Sequence, residues 1–162
     1  MRGDYMKIQH WKTYAFWIGL SEAVGAAAGF FIRKGVELYS LTANQPPLSP
    51  SGWVFVVAWT ILYALMGISA ARIWKTEDSP QKHRSVSLFI AQLVVNFFWP
   101  LFFFNLQAYG FALALLILLW ILVFLLIFNN RKLDLTAAWL LVPYLAWLTF
   151  AVYLNIGVYL LN

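Results

Sequence analysis

In the stretch AQLVVNFFWPLFFF, the residues Gln92, Asn96, Trp99 and Phe103 follow one another at intervals of four, three and four. On a helix that spacing sets them on one face. Two amides and two large rings in an otherwise apolar run can hold a flat ligand, the rings supplying area and the amides direction. A second run, AAWLLVPYLAWLTFAVYLN, places Trp139, Pro143, Trp147 and Ala151 at successive intervals of four. Pro143 frees a backbone carbonyl one turn earlier and bends the helix, opening space beside it. A third run offers Trp59, Tyr63 and Met66 or Gly67 on one face. Glu22 is the ionisable side chain deepest in an apolar stretch, which by default marks a functional candidate, here for a proton-linked step. Plainer readings stand beside these. Amides inside a bundle also serve as interhelical glue, and a protonated Glu22 can simply bond to a neighbouring helix.

Much chemistry is excluded by count. There is no cysteine, hence no disulfide, thiolate metal site or Cys nucleophile. The two histidines, His10 and His83, lie outside the apolar runs, so a histidine-based site within them is excluded and no metal centre is expected. The rings of charge that mark an ion pathway are also missing.

The elements that must position these residues are membrane helices. Hydrophobic residues make up 63% of the 162, charged residues 10% and aromatics 19%, with nine Trp, and the mean hydropathy is +0.75. Soluble domains carry about a quarter charged residues. The expected fold is all-α, a single integral membrane bundle of five transmembrane helices near 11–32, 53–74, 86–105, 109–128 and 135–161, each close to the ~20 residues a bilayer core requires. The charged and Pro-, Asn- or Ser-rich segments between them read as connectors. The third and fourth spans are so close that they form an antiparallel hairpin. No internal repeat is visible, which argues against an inverted-repeat transporter.

The net charge of +5 does not form a nucleic-acid-binding stripe. Nine Lys and Arg (Arg2, Lys7, Lys12, Arg72, Lys75, Lys82, Arg84, Arg131 and Lys132) fall on one side of the spans and two, Arg33 and Lys34, on the other. That bias sets the N-terminus in the cytoplasm and the C-terminus outside. The first apolar run is too long for a signal-peptide core and lacks a cleavage pattern, and Met6 is a natural alternative start. Trp11, Trp53 and Trp74 stand at span ends as an interfacial belt does, whereas Trp59, Trp99 and Trp147 lie several residues inside.

The connector 33–52 contains NQPPLSPSG, whose prolines stiffen an extended lid. Pro50 precedes the second helix, with Ser49 or Ser51 as its cap. Gly25 and Gly29 form a GxxxG that permits close helix approach within the bundle or in a homodimer, and Gly67 with Ala71 forms a similar small pair.

Three stretches, PPLSPSGWVFVVAWTILYALMGISAA, QLVVNFFWPLFFF and AAWLLVPYLAWLTFAVYLN, resemble the signatures of the TspO/MBR family of tryptophan-rich sensory and translocator proteins. The resemblance runs from the first span to the C-terminus. It implies a five-helix bundle, often dimeric, whose pocket opens beneath the first connector and takes porphyrins such as protoporphyrin IX, with no intrinsic cofactor. Ligand-lining roles carry over to Pro50, Trp59, Tyr63, Asn96, Trp99, Trp147 and Ala151. In some bacterial members the tryptophans at the positions of Trp59 and Trp147 are associated with light-dependent oxidative breakdown of protoporphyrin. The chain departs from the family pattern at Tyr39-Ser40, where an aromatic pair is usual, at Gln45, where Lys is usual, and at Ser51, where a second Pro is usual. Arg33 or Lys34 is the substitute for a lid contact to a porphyrin carboxylate. No Lys or Arg follows the last tyrosines, so sterol binding is not implied. The expectation is a porphyrin-binding receptor or sensor in a bacterial plasma membrane. Its rivals are a photo-oxidative enzyme using Trp59 and Trp147, a transporter with Glu22 as a proton-coupled switch, and a scaffold whose cavity holds lipid.

Overall fold

A computed structural model describes residues 2–162, with side chains from Trp11 onward. His10, the charges of Arg2 and Lys7 and the alternative start at Met6 fall outside the described side chains. The elements are α1 (Arg2–Thr42), α2 (Gly52–Trp74), α3 (Pro80–Pro100), α4 (Tyr109–Asn130), α5 (Leu135–Trp139) and α6 (Val142–Leu161). Five segments are long and apolar enough to span a membrane, Trp11–Thr42, Gly52–Trp74, Pro80–Asn105, Tyr109–Asn130 and Leu135–Leu161. The protein is an all-α, multi-pass membrane bundle.

Three boundaries differ from the expected ones, each for a local reason. The first helix does not stop at Ile32. RKGVELYSLT contains no proline, so α1 continues to Thr42 and the connector shrinks to 43–51. At about 1.5 Å per residue this helix is longer than a hydrocarbon core of about 30 Å requires. The third helix begins at Pro80 rather than Val86, because the Ser79 side chain accepts from the Lys82 N–H at 3.2 Å and Pro80 fits the first turn. The fifth span is two helices. Pro143 cannot donate to a carbonyl one turn back, and the chain turns at Leu140–Leu141 between α5 and α6. The expected cap on α2 is also different. Ser51 occupies the N-cap without a side-chain bond, and the Ser49 hydroxyl donates to the Pro46 carbonyl at 2.8 Å.

Proline has a further effect at the end of α3. After Pro100 the backbone widens into a single π-helical turn, Leu101–Asn105, and the Leu106 N–H donates to the Leu101 carbonyl at 3.2 Å. The wider turn buries both Phe103 and Phe104. A tight link follows, with Gln107 at φ 50°, and α4 returns beside α3 as the expected hairpin.

Packing begins where α1 crosses α2. A Cβ at Gly67 would lie 2.4 Å from the Ile18 Cα and 2.8 Å from the Trp17 carbonyl oxygen, so the two backbones touch there. Met66, Leu116, Leu119, Val123, Tyr144 and Leu148 form the buried centre. Phe111, Ile117, Ile121, Phe124 and Phe128 of α4 are exposed, as a lipid-facing surface requires.

At the end away from the connector 43–51, polar groups tie four helices together. The Ser69 hydroxyl donates to the Ala137 carbonyl at 2.7 Å, Ser85 donates to Asn130 Oδ1 at 2.6 Å, and Asn129 Nδ2 donates to Ser85 Oγ at 2.7 Å. Asp134 accepts from the Ala137 N–H at 2.9 Å, capping α5, and pairs with Arg72 at 2.8 Å. Burial pushes the Asp134 carboxyl up, but the Ala137 N–H and the Arg72 guanidinium outweigh it and hold the group below its ordinary value.

Two predictions follow from this packing. Gly67→Ala should destabilise the detergent-solubilised protein by roughly 1–3 kcal/mol, because rigid backbone must move. Gly29→Ala, with nothing within 4 Å of the added methyl, should change thermal stability by less than about 0.5 kcal/mol. Asp134→Ala should cost roughly 1–2 kcal/mol through the lost cap and ion pair. Because folding lowers the Asp134 pKa, its contribution is complete above the ordinary carboxylate range and disappears as pH falls through the lowered value. Melting temperatures followed below about pH 4 should therefore drop more steeply for wild type than for Asp134→Ala.

Candidate functional site

A cavity of about 610 Å³ lies between α1, α2, α3 and α6 beneath the connector. Its α1 wall is a stripe of Glu22, Gly25, Ala26, Gly29, Arg33 and Val36, one face of a helix. Opposite, α2 contributes Phe55, Val56, Trp59, Thr60 and Tyr63, and α3 contributes Asn96, Trp99 and Phe103. The π-helical turn adds Phe104, while Ala151, Leu154 and Asn155 complete the α6 side. Gln45, Ser49 and Pro50 close the connector end.

Glycine makes the room. Gly25 faces the Tyr63 ring so closely that a Cβ would come within 2.3 Å of it, whereas Gly29, one turn on, has open space. The two helices touch at Ile18–Gly67, still hold the Tyr63 ring at Gly25, and have separated by Gly29. The α1–α2 side is therefore closed at the crossing, and the space widens from there toward the connector. Both glycines of the GxxxG are on this wall, so the motif shapes the cavity.

The rings form a connected set. Trp59 lies 5.6 Å from Tyr63, 6.4 Å from Trp99 and 6.0 Å from Phe55, between ring centroids. Trp99 continues to Phe103 at 5.6 Å and Phe103 to Tyr39 at 5.4 Å. The indole N–H groups of Trp59 and Trp147 are buried without an acceptor among the described residues.

Below the rings runs a polar relay. The Tyr63 hydroxyl donates to Asn96 Oδ1 at 3.0 Å, Asn96 Nδ2 donates to the Tyr144 hydroxyl, and Tyr144 donates to Gln92 Oε1 at 3.0 Å. Gln92 ends the chain on the Met66 sulfur at 3.7 Å. A second relay runs from Trp99 Nε1 to Asn155 Oδ1 at 3.2 Å, and Asn155 Nδ2 donates to the Tyr109 carbonyl at 2.9 Å. These bonds fix the side chains that face the cavity, because an unpaired amide in hydrocarbon costs several kcal/mol.

The connector is pinned at its far end. Pro46 packs on Gly157, the Tyr153 hydroxyl donates to the Pro47 carbonyl at 3.0 Å, and the Asn162 side chain accepts from the Asn44 N–H at 2.8 Å and donates to the Asn44 carbonyl at 3.0 Å. The Ser49 N–H closes a turn on the Pro46 carbonyl at 3.4 Å and Leu48 takes φ 68°, a position that favours glycine.

Of the residues singled out in the sequence, Pro50, Trp59, Tyr63, Asn96, Trp99, Phe103, Ala151 and Glu22 line the cavity. Gln92 is buried beneath it, in the glue role. Trp139 and Pro143 do not reach it. The break at Leu140–Leu141 cancels the four-residue register that linked Trp139 to Trp147. Pro143 keeps its spacing to Trp147 within α6 but sits in the first turn, outside the cavity lining. Both are exposed, Trp139 at 64%. Trp147 stands outside the wall, behind Phe55 at 6.1 Å between centroids. Arg33 lines the cavity and Lys34 does not. Sequence reasoning missed Tyr144, the hub of the relay, and Asn155, Phe55 and Phe104. Asn155 continues the Trp147–Ala151 spacing and Phe55 precedes Trp59 by one turn, so both were accessible to the same periodicity; Phe104 depends on the π-helical turn.

Fold and site together define a multi-pass α-helical membrane protein with an internal, aromatic-walled cavity of small-molecule size. The TspO/MBR family model matches residues 17–161. A tryptophan-rich protein TspO of Chlorobaculum tepidum is 37% identical over 154 residues, covering 93% of this chain and 96% of the relative. A tryptophan-rich sensory protein of Cereibacter sphaeroides is 38% identical, with 92% of each chain covered. A translocator protein of Ovis aries is 36% identical over 128 residues, covering 77% and 75%. The chain belongs to the TspO/MBR family.

The relay makes a direct prediction. Tyr144→Phe removes a hydroxyl that both accepts and donates, which should cost about 1–2 kcal/mol at the magnitudes measured for bonds between membrane helices. Thermal melts of the purified variant in detergent would show it. Unchanged stability would mean that the relay does not hold the bundle together.

Proposed function

We propose that this protein is a membrane receptor or sensor that binds a porphyrin such as protoporphyrin IX, or a similar flat hydrophobe, in the cavity between α1, α2, α3 and α6. The observation that carries the proposal is the cavity itself, about 610 Å³ and faced by Trp59, Tyr63, Trp99 and Phe103, with Asn96 oriented by two tyrosines. That volume is within the range of small-molecule sites, and stacking on such rings supplies affinity without charge. Arg33, near the connector end, offers a cation to a ligand carboxylate. The name of the Cereibacter relative supports sensing. The Lys and Arg bias supports a bacterial plasma membrane with the connector on the non-cytoplasmic face.

A second reading, light-driven porphyrin oxidation with dioxygen as oxidant, is favoured by one arrangement. Trp59 is on the wall, and Trp147 is reached from it through a single ring, Phe55, in steps of 6.0 and 6.1 Å. A carrier is less well supported, because the backbone contact at Ile18–Gly67 closes the α1–α2 side below the cavity.

The test is a protoporphyrin IX titration in the dark, followed by Trp fluorescence, and then illumination. Saturable micromolar binding is expected, weakened roughly tenfold in Trp59→Ala. Loss of porphyrin absorbance faster than in free solution, abolished in Trp59→Phe with Trp147→Phe, would establish the oxidative reading. Absence of saturable quenching would end the tetrapyrrole proposal.

A further inference from the structure

The floor of the cavity carries a carboxyl group that the porphyrin reading does not use. Glu22 lies one turn above the Ile18–Gly67 contact, at the foot of the α1 stripe, and lines the cavity. It makes no hydrogen bond or ion pair among the described residues. A carboxyl in the middle of a membrane helix is costly, and such residues face a partner or a cavity. The same cavity is lined by Tyr63, whose ring lies against Gly25 one turn from Glu22, and by Trp59, 5.6 Å from Tyr63 between ring centroids, while Tyr63 spends its hydroxyl on Asn96 and not on Glu22. A carboxyl that shares a cavity with Trp and Tyr rings is an arrangement that recognises an organic cation, the acid matching its charge and the rings adding cation–π attraction. The nearest fixed cation on the α1 wall, Arg33, is eleven residues further along, about 16 Å by helical rise, and its guanidinium sits 4.5 Å from the Phe30 ring centroid. It does not satisfy Glu22.

We infer that the floor of the cavity, Glu22 with Tyr63 and Trp59, is a site for the protonated nitrogen of a flat aromatic amine. The inference rests on the cavity being a ligand site. It extends the ligand class from neutral or anionic hydrophobes to cationic ones, and assigns the two ends of one cavity opposite preferences. An anionic group is met at Arg33 and a cationic one at Glu22.

Two probes of the same shape test it, 9-aminoacridine, a cation at neutral pH, and acridine, which is neutral. Both are titrated in the dark against protein in phosphatidylcholine nanodiscs, whose zwitterionic lipid does not concentrate cations. Wild type should bind 9-aminoacridine about tenfold more tightly than acridine, the size expected of one desolvated cation contact. Glu22→Gln should abolish that preference and leave acridine binding within about twofold, and Glu22→Asp should retain part of the preference. Equal binding of the two probes by wild type would overturn the inference, as would a preference that survives in Glu22→Gln. Equal weakening of both probes in Glu22→Gln would also overturn it, showing a structural role. Protoporphyrin IX is titrated in parallel. If it fails to bind while the cation preference holds, the porphyrin reading falls and the amine site stands.

Discussion

The contact between α1 and α2 at Ile18 and Gly67 sets the geometry of everything above it. Only a residue without a side chain lets two helix backbones approach within the distances seen there. From that point the helices diverge, first by the thickness of the Tyr63 ring at Gly25 and then into open space at Gly29. The cavity is the wedge between them. Bulk at the crossing would pry the helices apart at their closed end and change the angle on which the distances between rings depend.

The cavity walls face a second constraint, because a membrane interior offers no water to satisfy polar groups. The bundle meets it by joining amides and hydroxyls end to end. Tyr63, Asn96, Tyr144 and Gln92 link α2, α3 and α6, and Trp99 with Asn155 links α3, α6 and α4. Side chains tethered in this way present fixed faces to a ligand, so little ordering remains to be done on binding. The wall is preorganised by the same bonds that hold the bundle together.

Much of this was legible in the residues alone. The five spans follow from hydropathy, and the α2 and α3 stripes follow from 3.6-residue periodicity, since both helices run unbroken through Trp59–Tyr63 and Asn96–Trp99. Periodicity failed where proline reset the register. Trp139 was placed on a stripe that assumes one continuous helix, and the turn at Leu140–Leu141 takes it off that stripe. Pro143 stays in register with Trp147 but lies in the first turn of α6, outside the cavity lining. Phe104 was invisible for the converse reason, since a π-helical turn brings inward a residue that an α-helix would turn away. The length of α1 was hidden by its charges. Arg33, Lys34 and Glu37 read as a connector, yet nothing in that stretch breaks a helix before Asn44.

The closed α1–α2 crossing also bears on time. A vessel that narrows to a closed crossing at one end fills and empties from its wider end, and two molecules the size of its interior cannot pass one another there. Exchange of one occupant for another must then be sequential. Adding a competitor in excess would not hasten departure, and displacement would proceed at the intrinsic escape rate of the first molecule whatever the concentration of the second. Residence would be governed by the pinned connector and the α1–α2 edge, while the rings and the relay govern how tightly a molecule is held. A protein built this way keeps a record of what it last bound for as long as that molecule takes to leave.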